Sequence, residues 1–168
     1  IRDQELMNRR TEGAWYYEQI ELGFNYRMTE LQAALGISQM QKLDKFVKRR
    51  HILKERYDSL LSNLPVIKPY QDKSSYSALH LYPIQIDSNK LNKNRKQIFY
   101  ELRENGLGVN VHYIPIHTQP YYLQFGFKEG DFPNSENYYK NSISLPLFYS
   151  MTLKQQEKVF NTLMKVLQ

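Results

Sequence analysis

Thr29 and Gln32, three residues apart, form a capping-box signature, in which each side chain satisfies a backbone N–H that a helix start leaves unpaired. From Leu31 the apolar positions Ala34, Leu35, Met40, Leu43, Phe46, Val47, Leu53, Tyr57, Leu60, Leu61 and Leu64 follow at steps dominated by threes and fours. Pro65 stops the pattern, because proline offers no N–H. One helix over 30–64 is therefore expected, about 50 Å long at the usual rise. So long an apolar stripe demands partners along its length, which points to helices layered on something else. Ala33, Ala34 and Gly36 are small enough for close approach of another backbone, and Gly36 costs about 1 kcal/mol against alanine. A bend or tight packing is expected there.

Beyond a polar linker over 68–77, the alternation His80–Ile86 predicts a strand, and 89–105 a helix with Leu91, Ile98 and Leu102 inward and Gly106 as its stop. Val109–Ile114 alternates again, with Val109, Val111 and Tyr113 on one face and Asn110, His112 and Ile114 on the other. A short helix over 135–141, an extended piece over 142–147 and a second capping box, Thr152 with Gln155, complete the order. The last helix turns Val159, Phe160, Leu163, Val166 and Leu167 inward. The fold class is α/β, a small sheet covered by helices. Residues 1–29 read as a loop and interface segment, 30–64 as a connecting helix, and 65–168 as a small α/β domain. Within the first, residues 1–21 read as loop or short helical turns that need outside partners.

The chain of 168 residues is long enough for a real core, and its apolar residues never run to the roughly 20 that a membrane helix needs. The absence of cysteine removes thiolate metal sites and agrees with a cytoplasmic location. A net charge of +6 reads as ordinary solubility. The Lys/Arg-rich middle of the long helix reads as a solvated face, since it lacks the interleaved aromatics of a single-strand nucleic-acid site. No nucleic-acid or membrane partner is expected. The 14 tyrosines, each an apolar ring with a polar tip, favour a binding surface. Starting at Ile1, the chain reads as a piece of something longer.

Several chemistries drop out. Gly106-Leu-Gly108 follows a helix and lacks a third spaced glycine, so it is a turn and not a dinucleotide loop. His112 and His117 are the one close histidine pair and have no third ligand at metal spacing, so no metal is expected. Two places remain. Asn25, Tyr26 and Arg27 precede the capped helix start, where backbone N–H groups and a guanidinium could hold an anion. His112, Tyr113 and His117, with Gln119, Tyr121 and Tyr122, lie just past the end of a strand; composition leaves open whether they form a pocket rim or a surface loop.

The block Gly23-Phe24-Asn25-Tyr26-Arg27-Met28-Thr29, then Gln32-Ala33-Ala34-Leu35-Gly36 and Gln39, resembles the signature of sugar aminotransferases of the DegT/DnrJ/EryC/StrS type. His112-Tyr113-Ile114-Pro115-Ile116-His117, Gln119-Pro120-Tyr121-Tyr122, Gly130-Asp131-Phe132-Pro133 with Glu136, and Ser144-Leu145-Pro146-Leu147 continue it in order. Trp15-Tyr16-Tyr17-Glu18-Gln19 and Gly130-Asp131-Phe132-Pro133-Asn134 look most like the branch making UDP-4-amino-4,6-dideoxy-N-acetyl-altrosamine on the way to pseudaminic acid.

The resemblance implies the C-terminal small domain of a fold-type I transferase that uses pyridoxal 5'-phosphate, works as a homodimer, and moves an amino group from glutamate to a 4-keto-6-deoxy nucleotide sugar. It implies Asn25 on the cofactor phosphate across the dimer interface, and Arg27, Tyr26, His112, Tyr113 and His117 on the substrate side. The Schiff-base lysine of that family has no counterpart in this chain, so no catalytic residue is assigned and the chain alone is expected to be inactive. A stand-alone, non-catalytic sugar-nucleotide-binding module is the competing expectation.

Overall fold

The computed structural model describes residues 4–8, 13 and 15–168; part of the loop reading of 1–21 therefore lies outside the described residues. The chain divides into two compact units, Ile1–Gln41 and Lys42–Gln168.

In the first unit, α1 (Glu30–Met40) begins at the expected capping box, with Thr29 accepting from Gln32 N–H and Gln32 returning the bond to the Thr29 N–H. None of its residues is buried, and Leu31, Leu35, Ile37 and Met40 are exposed. A short 3-10 turn at Gln4–Leu6 is the other regular piece described there.

The single helix expected over 30–64 is two. After Met40 the Gln41 N–H bonds back to both Ile37 O and Gln39 O, a tightened last turn, and α2 (Leu43–Leu60) begins past Lys42. The physical reason lies in burial: α2 sinks Leu53 and Tyr57 into a core, whereas α1 buries nothing in its own unit and tertiary packing does not carry one helix through the junction. The break is at Gln41–Lys42 and not at Gly36, which lies inside α1, where an added Cβ would meet nothing within 4 Å.

The second unit places α2, α3 (Arg95–Glu104) and α6 (Leu153–Leu167) around a three-stranded antiparallel sheet of β1 (Val66–Ile67), β2 (Tyr82–Ile86) and β3 (Ser142–Leu145). β2 is central, with Val66 opposite Ile86 on one side and Ile84 opposite Ile143 on the other. Along β2, Tyr82, Ile84 and Ile86 are buried and Pro83 and Gln85 only half so, the alternation the sequence shows. β3 is buried at all four positions, and the core closes with Ile98 and Leu102 of α3 and Val159, Leu163 and Val166 of α6.

Two boundaries moved for local reasons. Asn94 and Gln97 make a third capping box, so α3 starts six residues later than the sequence reading put it; Asp87–Lys90 is a turn closed by Lys90 N–H on Asp87 O at 3.0 Å. The strand expected over 109–114 is reduced to one bridge, Asn110 with Ser144. There the Val111 N–H is taken at 2.8 Å by the Asn110 side chain, and a donor spent locally is lost to a ladder.

The basic stretch of α2 is more than a solvated face. Arg49 donates to Met151 O at 2.7 Å, Arg50 to Leu79 O at 2.9 Å, and Arg56 to Leu153 O at 2.9 Å and Glu157 Oε1 at 2.6 Å. These guanidiniums tie the helix to distant loops and to the start of α6. Gln156, 0% exposed, donates to Leu53 O at 2.7 Å and accepts from Arg56 at 3.1 Å, which satisfies a buried amide at both ends.

Candidate functional site

In the first unit the loop before α1 turns at Asn25, whose φ of +57° is a left-handed conformation that asparagine tolerates better than most residues. The Arg27 N–H closes the turn on Asn25 O at 2.8 Å. The rings of Phe24 and Tyr26 stack at 5.5 Å, and Tyr26 is 91% exposed. Neither the Asn25 amide nor the Arg27 guanidinium has a hydrogen-bond or ion-pair partner among the described residues. Both residues are exposed and precede α1 in the chain, whose first-turn N–H groups carry partial positive charge.

In the second unit the predicted residues divide between two local networks. His112 belongs to the sheet edge: its Nδ1 lies 2.8 Å from Ser144 Oγ and its Nε2 3.5 Å from the Asn110 amide. Tyr113 packs edge-on against the His112 ring at 4.6 Å and is otherwise exposed.

His117 belongs to a different element. It sits in a 3-10 turn, Ile116–Thr118, that follows Pro115 and leads into α4 (Pro120–Leu123). Its ring is buried, and its Nε2 lies 2.7 Å from Glu136 Oε1, in the first turn of α5 (Pro133–Asn141). The same oxygen accepts the Gly130 N–H at 2.7 Å and the Phe132 N–H at 3.4 Å. The His117 bond, with these backbone donors, holds the Glu136 carboxyl below its ordinary range. Gly130, at φ +97°, makes the turn that points its N–H inward.

This anchor shapes a pocket of about 360 Å³ lined by Ile116, His117, Tyr122, Phe127, Phe132 and Ser135. The Phe132 ring stands 4.8 Å from His117 and 6.1 Å from Phe127. On its other side Glu136 borders a more polar cleft of about 520 Å³ with Arg95, Thr118 and Lys140. Among the described residues no three histidine, aspartate or glutamate side chains gather as metal ligands.

The structure thus brings His117 together with Glu136, Phe127 and Phe132, and gives His112 to Ser144. Sequence reasoning assigned no role to Glu136. Its signal was legible in kind: an acidic residue in the first turn of a helix opened by a proline, six residues after a glycine. The phenylalanine walls carried no such signal.

Residues 4–164 match the DegT/DnrJ/EryC1/StrS aminotransferase family. Spore coat polysaccharide biosynthesis protein SpsC of Bacillus subtilis is 43% identical over 143 residues, 83% of this chain and 37% of that protein. A UDP-4-amino-4,6-dideoxy-N-acetyl-beta-L-altrosamine transaminase of Campylobacter jejuni is 32% identical over 155 residues, 92% of this chain and 41% of that protein. The fold agrees: the solved structure of Helicobacter pylori PseC, an aminotransferase involved in the biosynthesis of pseudoaminic acid, superposes with a TM-score of 0.81 at 26% identity, covering 94% of this chain and 42% of the other. The chain therefore spans about two fifths of the length of these proteins. With the family match running through both the Asn25 loop and the His117–Glu136 network, this chain belongs to the DegT/DnrJ/EryC1/StrS aminotransferase family.

Proposed function

We propose that this chain is the C-terminal part of a pyridoxal-phosphate-dependent aminotransferase that moves an amino group from glutamate to a 4-keto-6-deoxy nucleotide sugar. The observation that carries the reading is the family match over 4–164, which includes a loop whose Asn25 and Arg27 side chains have donors and no partner among the described residues. Such donors fit a phosphate: an amide N–H and a guanidinium next to a helix start suit its oxygens. Asn25 would hold the cofactor phosphate and Arg27 and Tyr26 the substrate. His112, fixed by Ser144, Tyr113 and His117 would line the substrate side. Bound there, the cofactor supplies an electron sink for amino transfer, while these residues bind and orient.

The exposed Leu22, Phe24, Tyr26 and Met28 of the same loop suit a protein interface, which supports a homodimer through the Asn25 loop. A UDP-linked, N-acetylated sugar of the pseudaminic acid route is supported by the Campylobacter relative. The higher identity to SpsC supports the broader reading of polysaccharide biosynthesis, and the cysteine-free composition supports a cytoplasmic enzyme.

The test compares the isolated chain with the same reading frame extended upstream, each given pyridoxal phosphate, glutamate and a UDP-4-keto sugar. The extended protein is expected to form the amino sugar, and the isolated chain to show neither turnover nor cofactor absorbance. In the extended protein, Asn25→Ala is expected to weaken cofactor affinity by about tenfold or more, the loss of a hydrogen bond to a charged group. An extended frame without a cofactor-bonding lysine would overturn the reading and favour a stand-alone binding module.

A further inference from the structure

α3 ends at the chain's single Asn-Gly pair, Asn105 and Gly106. Gly106 takes a φ of +78°, its N–H bonds Arg103 O at 2.9 Å, and the Leu107 N–H bonds Leu102 O at 3.0 Å. These are the two bonds of a Schellman cap, which closes a helix on a left-handed glycine. Asn105 adds a third, its side-chain amide donating to Glu101 O at 2.8 Å. Leu107, 5% exposed, carries the cap into the core.

An Asn-Gly pair carries its own reaction. With no Cβ on the second residue to obstruct the approach, the Gly106 nitrogen can attack Cγ of Asn105. The N–Cγ bond forms, the Cγ–Nδ2 bond breaks, and Nδ2 leaves as ammonia with the proton that the backbone nitrogen gives up. Water then opens the five-membered imide at either carbonyl. Opening at Cγ leaves aspartate. Opening at the backbone carbonyl leaves isoaspartate, in which the main chain runs through the side-chain carbon. Water is the one co-reactant.

The surroundings of the pair admit water. Asn105 and Gly106 are both exposed, and a Cβ placed on Gly106 would meet Lys158 Nζ at 3.7 Å and nothing else within 4 Å. Lys165 Nζ stands 3.4 Å from Asn105 Oδ1, where negative charge gathers as the ring closes. The cap opposes the reaction, because its bonds occupy both the attacking nitrogen and the leaving amide. Ring closure therefore waits for the end of α3 to fray, a local opening well short of global unfolding.

We propose that Asn105 is a modification site of the folded chain, converted to aspartate and isoaspartate at a rate set by fraying of the α3 cap, and that isoaspartate releases that cap permanently. The extra main-chain carbon moves the Gly106 and Leu107 N–H groups off the carbonyls of Arg103 and Leu102. Beyond Leu107 the chain runs through buried Val109, whose carbonyl accepts from Arg103 at 3.3 Å, to the bridge of Asn110 with Ser144. That bridge holds the segment carrying His112, so the change at the foot of α3 is transmitted toward a residue of the candidate site.

The experiment incubates the purified chain at mildly alkaline pH, with and without denaturing guanidinium chloride, and follows each asparagine by peptide mapping and mass spectrometry, with isoaspartate resolved chromatographically. Asn105 should convert first among the asparagines of the unfolded chain. In the folded chain it should convert at least about tenfold more slowly, the protection that one or two hydrogen bonds supply. Leu107→Ala, which removes the apolar anchor of the cap and leaves the reacting atoms in place, should speed conversion in the folded chain and leave the denatured rate unchanged; Leu107→Val serves if the larger truncation does not fold. Hydrogen exchange at the Leu107 amide should be fast in the isoaspartate form and slow in Asn105→Asp, which has the new charge on an ordinary main chain. An Asn105 that stays unconverted in the folded chain, equal rates with and without denaturant, no acceleration in the Leu107 variants, or a Leu107 amide still protected in the isoaspartate form overturns the proposal.

Discussion

Replacing Tyr82 by phenylalanine isolates one hydrogen bond in the core of the second unit. Tyr82 is fully buried, its ring 5.0 Å from that of Tyr57, and its hydroxyl donates to Asp58 Oδ1 at 2.6 Å. The ring survives the substitution, so no cavity forms. A bond to a charged acceptor contributes about 1.5–3 kcal/mol. Asp58 keeps Lys54 at 2.6 Å and part of its solvent contact, so the carboxylate is not orphaned and the lower end applies, about 1.5 kcal/mol. For a unit of this size that is a fall in Tm of about 5 °C. Tyr57→Phe removes a neutral bond to Pro146 O at 3.0 Å and should cost less, about 1 kcal/mol. The dependence on pH sharpens the test. Burial pushes both hydroxyls above the ordinary value of 10, with the Asp58 bond adding to the rise at Tyr82. A raised acid is fully protonated in both states below the unfolded value, so its stabilisation is complete there. It is lost as pH climbs above 10 toward the folded value, at up to about 1.4 kcal/mol per pH unit for each tyrosine. The difference between wild type and Tyr82→Phe should therefore shrink from about 1.5 kcal/mol at neutrality to near zero at about pH 11. Urea unfolding at several pH values, read by circular dichroism, measures it. A difference that is absent at neutrality, or that does not change up to pH 11, would refute the reasoning.

Glu136 supplies a prediction of the opposite sign. Its folded carboxyl is depressed, so its contribution is present above the ordinary carboxylate value of 4.5 and is lost as pH falls through the lower folded value. Hydrogen exchange at the Gly130 amide should accelerate in that acid window before the core residues do. Leu163, fully buried in α6, should cost about 2–5 kcal/mol on truncation to alanine, measured by urea unfolding. Thr152→Ala removes the cap of α6 and should cost about 1 kcal/mol in the same assay.

How far the sequence could be read depended on whether a feature is local. Capping boxes at Thr29 and Thr152 and the inward face of α6 are decided within a turn or two of chain, and each stands where the spacing put it. The junction at Gln41–Lys42 was not legible, because the apolar steps run through it unbroken; what separates α1 from α2 is that only α2 has a core to enter. The same limit governed the site. His117 and Glu136 are nineteen residues apart, and their bond exists because the Gly130 turn folds α5 back over the 3-10 turn at Ile116. Sequence marked His117 as polar and well placed, but its neighbours set its surroundings: Glu136 takes its Nε2, and the Phe132 ring stands 4.8 Å away. A histidine read alone offers an acid, a base or a ligand. This one is pinned at Nε2 by Glu136 and lines a pocket with Ile116, Tyr122, Phe127, Phe132 and Ser135, so what it offers a ligand is set by residues that the fold brings to it.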